Sequence, residues 1–282
     1  MIAAAAAFAA LASIFGSPVV GAVILIEAAG LGGAMLPLIL LPGLMAAGIG
    51  SLVFIGMDSW AGLNNSDYTL SAFSLPAYTS PTVTDFVWTV ALSLVAAVVT
   101  FGIILLARQS AFRVAKHPWV MIPAAAVVVG VVAIAFAELT DQTTNLVLFS
   151  GEDAFGELLD PKSSFTLGTL TLLLLFKGVA WSLSLGSFRG GPTFPALFVG
   201  AVGGLMAAHL PGFSETPAVV ALMAASAVAV LRLPLSSVVI VLLLTGSAGA
   251  AVAPIIIVAV VVAYLTIEAL HALREQPAAA AA

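Results

Sequence analysis

Charged and polar residues fall in a few clusters along this chain, and the stretches between the clusters are long and apolar. Phe86 to Ala107 and Trp119 to Ala137 carry no charge, Phe165 to Leu185 carries only Lys177, and Ala250 to Leu270 carries only Glu268. Each approaches the roughly 20 residues that take an α-helix through hydrocarbon. Met35 to Met57 is as long and holds Pro37 and Pro42, which are placed to bend it. These five segments are predicted spanning helices.

The remaining apolar segments are shorter and open with proline: Pro18 to about Ala29, Pro192 to Ala208, Pro217 to Leu231 and Pro234 to Thr245. Proline suits the first helical position, where an N–H would have no intrahelical partner. Short segments broken by Gly and Pro are the pattern left by half-helices around a midplane site. The first and last overlay. Pro18-Val-Val-Gly-Ala-Val-Ile-Leu-Ile-Glu-Ala-Ala-Gly30 matches Pro234-Leu-Ser-Ser-Val-Val-Ile-Val-Leu-Leu-Leu-Thr-Gly246 at four of thirteen positions. Both begin with Pro, end with Gly and lie near opposite ends of the chain, as two halves of a duplicated transporter would.

The polar clusters set an orientation. Residues 108–117 hold Arg108, Arg113, Lys116 and His117, whereas 58–85 hold three acids and no Lys or Arg, and 138–162 hold six acids against Lys162. An excess of basic residues marks cytoplasmic loops, so loop 108–117 is expected in the cytoplasm and loops 58–85 and 138–162 outside.

The break at Arg189-Gly190-Gly191 is the least expected feature for a chain that only has to cross lipid. Hydrocarbon cannot hydrogen-bond loose backbone, so an interruption survives only against protein or a wet cavity. Two readings follow. Gly190, Gly191, Pro192, Thr193, Phe194 and Pro195 form an anion cradle at the N-terminus of the restarted helix, or they form a tight turn between packed helices. Lys177 is a functional candidate as an intramembrane charge that sets the local field, or a paired or snorkelling structural lysine. Arg189 concentrates anions at the mouth of a site, or anchors its helix. Glu27 carries protons, or is a structural acid at a helix end. Trp60, Trp88 and Trp119 sit at segment ends, as interfacial residues do. Trp181 lies inside a span, where it narrows a path or packs.

Composition adds mainly exclusions. The chain has 282 residues, 62% of them hydrophobic and 7% charged, with a mean hydropathy of +1.23. Soluble domains carry about a quarter charged residues, so this is a polytopic membrane protein in contact with a lipid bilayer. The net charge of −5 and the lack of a basic cluster argue against nucleic acid. There is no cysteine, and His117, His209 and His271 are scattered, so no metal site is expected. No nucleophile–base constellation suggests an enzyme, and no cofactor is implied. Residues 1–276 are expected to form one transmembrane domain, with 277–282 a low-complexity tail.

Phe176-Lys-Gly-Val-Ala-Trp-Ser-Leu-Ser-Leu-Gly-Ser-Phe-Arg-Gly-Gly-Pro-Thr-Phe-Pro-Ala-Leu-Phe-Val-Gly-Ala201 resembles the late signature of CLC chloride channels and proton/chloride exchangers. That signature runs from a basic residue through a Thr/Ser-rich helix to Gly-Gly-x-Phe-x-Pro and a small-residue helix. Ala12 to Ala28 and Leu231-Arg-Leu-Pro-Leu-Ser-Ser-Val-Val-Ile-Val-Leu resemble two further helices of the family. The resemblance implies an all-α membrane protein of tilted and broken helices, a partial CLC-like inverted-repeat architecture corresponding to the C-terminal part of the family's unit. It implies a chloride or other small-anion channel or passive carrier, a homodimer in a bacterial-type plasma membrane, and anion contacts from Gly190 to Pro195.

The departures are specific. The family's Gly-Ser-Gly-Ile-Pro and Gly-(Lys/Arg)-Glu-Gly-Pro motifs have no counterpart, nor does its late anion-contacting tyrosine; relative to the family the chain is expected to be N-terminally truncated. Pro192 brings no N–H to the cradle. Ala28 stands where proton-coupled members carry a transfer glutamate, with Glu27 beside it, which argues against proton exchange by that route. The alternative reading is therefore a non-conducting remnant that keeps only packing and dimer surfaces, or a transporter of another small anion.

Overall fold

The computed structural model describes residues 2–28, 30, 35–61, 72–152, 154–160, 165–246 and 249–280. Among these the regular structure is helical, with no strand. The chain divides into two compact units, Met1–Ala72 with Leu233–Gly246, and Phe73–Arg232 with Ser247–Ala282.

The first unit holds α1 (Ile2–Ile14), α2 (Pro18–Ala28), α3 (Met35–Ala61) and α10 (Pro234–Leu244). α1 had no counterpart among the expected helices. Its run of alanines has the highest helix propensity of any residue type but no amphipathic period to reveal it. It docks through small residues: Phe8 is 1% exposed and lies where a Cβ on Gly43 would come within 2.6 Å of its ring. Phe8, Ala12, Ala22 and Ala47 form the unit's core. α2 and α10 are each 11 residues long and begin with proline. Each is followed by a left-handed glycine, Gly30 at φ 59° and Gly246 at φ 55°. The overlaid segments thus share length, start and stop. Of the polar loop expected at 58–85, residues 62–71 lie outside the described residues and α3 already occupies 58–61.

The second unit holds α4 (Val83–Lys116), α5 (Pro118–Thr140), α6 (Ala154–Leu158), α7 (Leu167–Ser187), α8 (Thr193–Ala207), α9 (Glu215–Leu231) and α11 (Gly249–Ala280). α4 starts at a capping box. Thr82 Oγ1 accepts the Asp85 N–H at 3.2 Å, and Asp85 accepts the Thr82 N–H at 2.8 Å and the Tyr78 hydroxyl at 2.7 Å. Burial, and then the Asp85 carboxylate, push the Tyr78 phenol above its usual pKa.

Residues 108–116, expected as a loop, are instead the last turns of α4. Arg113 and Lys116 lie in its final turn, where cations complement the helix dipole, and no Gly or Pro intervenes before Pro118 opens α5. The connection shrinks to His117. Similarly, α11 continues through the expected tail as far as Ala280.

α9 is the core of this unit: every residue from Thr216 to Ala229 is buried, packed by α8, α4 and α11. α8 approaches it through glycines. A Cβ on Gly200 would sit 2.5 Å from the Leu222 carbonyl oxygen, and one on Gly204 would overlap Val219 Cα. Among the described residues, α4, α5, α7 and Gly249–Arg274 of α11 are long and apolar enough to cross a membrane. α8, at 15 residues, rises only about 22 Å against the ~30 Å of a bilayer core.

Candidate functional site: the cavity at the start of α8

α7 is capped by Thr166, whose hydroxyl accepts the Thr169 N–H at 3.1 Å, and ends with Ser187. Phe188 to Pro192 then run without regular structure until α8 begins at Thr193. The start of α8 has no side-chain cap, since its N-cap is Pro192. Its first intrahelical bond runs from the Ala196 N–H to the Pro192 carbonyl at 3.2 Å. The Thr193 N–H precedes that bond, and such a helix start carries about half a positive charge.

A cavity of about 200 Å³ lies here, walled by Val147 to Ser150, Lys177, Trp181, Ser184, Arg189, Gly190, Gly191 and Pro195, with Val129, Ala180, Leu185 and Phe188. No acidic side chain is among these lining residues. At about 30 Å³ of liquid volume per water, it has room for a small ion with part of its hydration. Of the residues singled out from sequence, Lys177, Arg189, Gly190, Gly191 and Pro195 share this wall; Pro192, Thr193 and Phe194 are bracketed by it without lining it.

Gly190 and Gly191 are exposed. Neither has a positive φ, and a Cβ on either would meet nothing within 4 Å. Turn geometry and helix packing therefore do not demand glycine there. What the missing side chains leave is open volume and bare backbone at the cavity.

Lys177 is 1% exposed. Its Nζ donates to the carbonyls of Val147 at 3.1 Å, Leu148 at 2.9 Å and Phe149 at 3.3 Å. An ammonium has three donors, and three acceptors take them, so Lys177 supplies charge to the cavity wall without a spare N–H for a ligand. It also lies 4.8 Å from the centre of the Phe198 ring, a cation–π distance. The carbonyls it gathers follow the short 3₁₀ turn Thr144–Leu146. Phe149 is held there in the left-handed region at φ 55°. Gly151, at φ 90°, lets the chain lie against Phe198, whose ring would be 2.8 Å from a Cβ.

Glu27 belongs to the first unit. Its two carboxylate oxygens accept the N–H groups of Leu235 at 2.8 Å and Ser236 at 2.6 Å, capping the start of α10. Trp88 is half-buried and donates to the Pro211 carbonyl at 3.1 Å. Trp119 is 92% exposed. The side chain of Trp60 lies outside the described residues. The carbonyl turn 147–149 and Ser184 had not been foreseen at this site. The signal for α7 was present: Lys177, Trp181 and Ser184 recur at helical spacing on one face.

A chain of apolar helices, several long enough to span and one starting beside a cavity, is an integral membrane protein. It belongs to the voltage gated chloride channel family, whose model matches residues 1–268. Among solved structures it is similar to a CLC-type fluoride/proton antiporter, with a TM-score of 0.64 and 18% identity over 89% of this chain. The chain spans 58% of the length of that structure. No curated protein matches. The family consists of anion channels and antiporters rather than enzymes, and the all-helical fold agrees with it.

Proposed function

We propose that this protein conducts a small anion, chloride in the first instance, as a channel or passive carrier, and that the ion is held at the start of α8 beside Gly190 to Pro195. One observation carries this reading: two glycines that neither turn geometry nor packing requires stand open on a cavity at an uncapped helix start. Backbone dipoles supply a field that attracts an anion without the tight grip of a bare charge, which conduction needs if the ion is to leave again. Lys177, with its donors engaged, and exposed Arg189 add positive potential. Arg189 recruits ions from solution, and Lys177 offsets the cost of bringing them between apolar walls. The bilayer and a second copy of the chain are the partners in this reading, with the basic end of α4 on the cytoplasmic side.

A second reading is favoured by the structural neighbour, named as a fluoride/proton antiporter: the ion is fluoride, moved against protons. Glu27 does not favour the proton half, since both of its oxygens are occupied at α10. The test is ion efflux from liposomes containing the purified protein, read with chloride- and fluoride-selective electrodes, with and without a protonophore. Chloride efflux that does not need the protonophore supports a passive path. Fluoride efflux coupled to proton uptake supports the second reading. No efflux of either ion above empty vesicles overturns both and leaves a packing remnant.

A further inference from the structure

The last turns of α4 carry a charged face that binds nothing in the anion reading. Arg108, Phe112, Arg113 and Lys116 are all exposed. At 3.6 residues per turn they fall within an arc of about 140°. The opposite side of the same turns is seated on α7. Ala107 and Ser110 are buried there, Ser110 Oγ lies 3.0 Å from Ser187 Oγ, and a Cβ on Gly186 would come within 2.3 Å of the Ala107 carbonyl oxygen. The basic face therefore has a fixed direction.

Among the described residues these cations have no counter-ion. The sequence holds no Asp or Glu from Phe86 to Ala137. α7 has no acid, the one acid of α5, Glu138, is at its far end, and Glu268 of α11 is paired with Arg232. Their level is set by length. Phe86 to Ala107 is free of charge and rises about 33 Å, close to the ~30 Å of the hydrocarbon core. Arg108 thus stands at its edge, with Lys116 about 12 Å further along the helix. Two aromatic rings mark the same level. Phe112 is 63% exposed, and Trp119, in the first turn of α5, is 92% exposed. Lys116 Nζ lies 4.2 Å from the centre of the Phe112 ring. Rings left open at the end of a span belong to the headgroup layer rather than to water.

We propose that this face of α4 is a binding site for the headgroup of an anionic phospholipid. Arg108 and Arg113 offer the forked donors that suit a phosphate, Lys116 adds charge, and Phe112 and Trp119 provide the ring surface at glycerol depth. Two independent observations carry this assignment: cations without a counter-ion in the protein, and exposed aromatic rings that place those cations among lipid phosphates. An anionic surface favours a basic residue by about fivefold each, so three on one face distinguish an anionic from a zwitterionic lipid. The assignment stands on the membrane-spanning fold and is independent of the anion reading.

The experiment uses tryptophan quenching by lipids brominated on their acyl chains. The protein is reconstituted into dioleoylphosphatidylcholine vesicles containing either brominated phosphatidylglycerol or brominated phosphatidylcholine at matched mole fraction. The signal of Trp119 is the wild type minus Trp119→Phe. Half-maximal quenching of Trp119 is expected at a mole fraction of brominated phosphatidylglycerol at least about fivefold lower than of brominated phosphatidylcholine, with the difference shrinking as salt is raised. The triple variant Arg108→Gln, Arg113→Gln, Lys116→Gln is expected to abolish the preference and leave quenching by brominated phosphatidylcholine as it was. Should the triple variant fail to fold, the wild-type comparison at low and high salt still decides. Equal quenching of wild-type Trp119 by the two lipids overturns the proposal, as does a preference that survives the triple variant or is indifferent to salt.

Discussion

Replacing Lys177 by methionine keeps the aliphatic stem and removes the ammonium, leaving the carbonyls of Val147, Leu148 and Phe149 without their donor. Hydrogen bonds to charged groups contribute about 1.5–3 kcal/mol each, net of desolvation. Three that share one ammonium are not additive, and those to Leu148 and Phe149 are only partly buried, so water takes over some of their role. The bond to Val147 is buried, and its carbonyl bears the full loss. Phe149, held at φ 55°, also loses a contact that maintains a conformation costly for a bulky residue. Relief of the buried charge works the other way, and the balance is a loss of about 3 kcal/mol. At roughly 2–4 °C per kcal/mol for a chain of this size class, thermal unfolding in detergent should fall by about 6–12 °C. Hydrogen exchange should rise first at 144–151. Lys116, exposed and placed over Phe112 at 4.2 Å, provides the control: Lys116→Met should leave the melting temperature unchanged. A Lys177→Met protein that melts with the wild type and keeps its exchange protection at 144–151 would refute the structural role assigned to this lysine.

Other outcomes follow from the same geometry. Gly204→Val should destabilise by about 1–3 kcal/mol or more through overpacking, because even a Cβ overlaps Val219 Cα; Gly203→Ala, which meets only the movable tip of Leu222 at 3.1 Å, should cost far less, and paired thermal melts decide. Glu27→Ala removes the cap of α10 and should cost about 1 kcal/mol, as lost helix caps do, with Glu27→Gln recovering part of it in the same melts; equal stability of all three would contradict the capping role. Tyr78 has its folded pKa raised, so its contribution to stability is complete below the unfolded value and is lost as pH rises through the folded one. A phenolate absorbance titration of wild type minus Tyr78→Phe should therefore show a group that ionises above an ordinary tyrosine, and a normal pKa would show that the contact with Asp85 is absent.

The spans were readable because hydrocarbon imposes a length and an absence of charge, and the proline-led short helices because proline leaves a mark at helix starts. α1 escaped notice since a run of alanine has propensity without periodicity. The basic cluster at 108–116 reads as a loop because charge marks the membrane boundary, but charge does not stop a helix; α4 runs to Lys116 and Pro118 opens the next helix. At the site, the glycine pair and Lys177 stood out in sequence. What sequence could not supply was the destination of the lysine's three donors, because its acceptors are carbonyls some 30 positions away, and every residue has one. The same holds for Glu27, whose partners are N–H groups of α10.

The central claim, that the cavity at the start of α8 holds the anion, is most directly tested by bromide. Bromide substitutes for chloride and scatters anomalously, so crystals grown in bromide locate the ion without reference to transport. The account predicts an anomalous peak in the cavity bounded by Gly190, Gly191, Pro195 and Trp181, displaced when excess chloride is added. Bromide found at other sites with this cavity free of it would contradict the account.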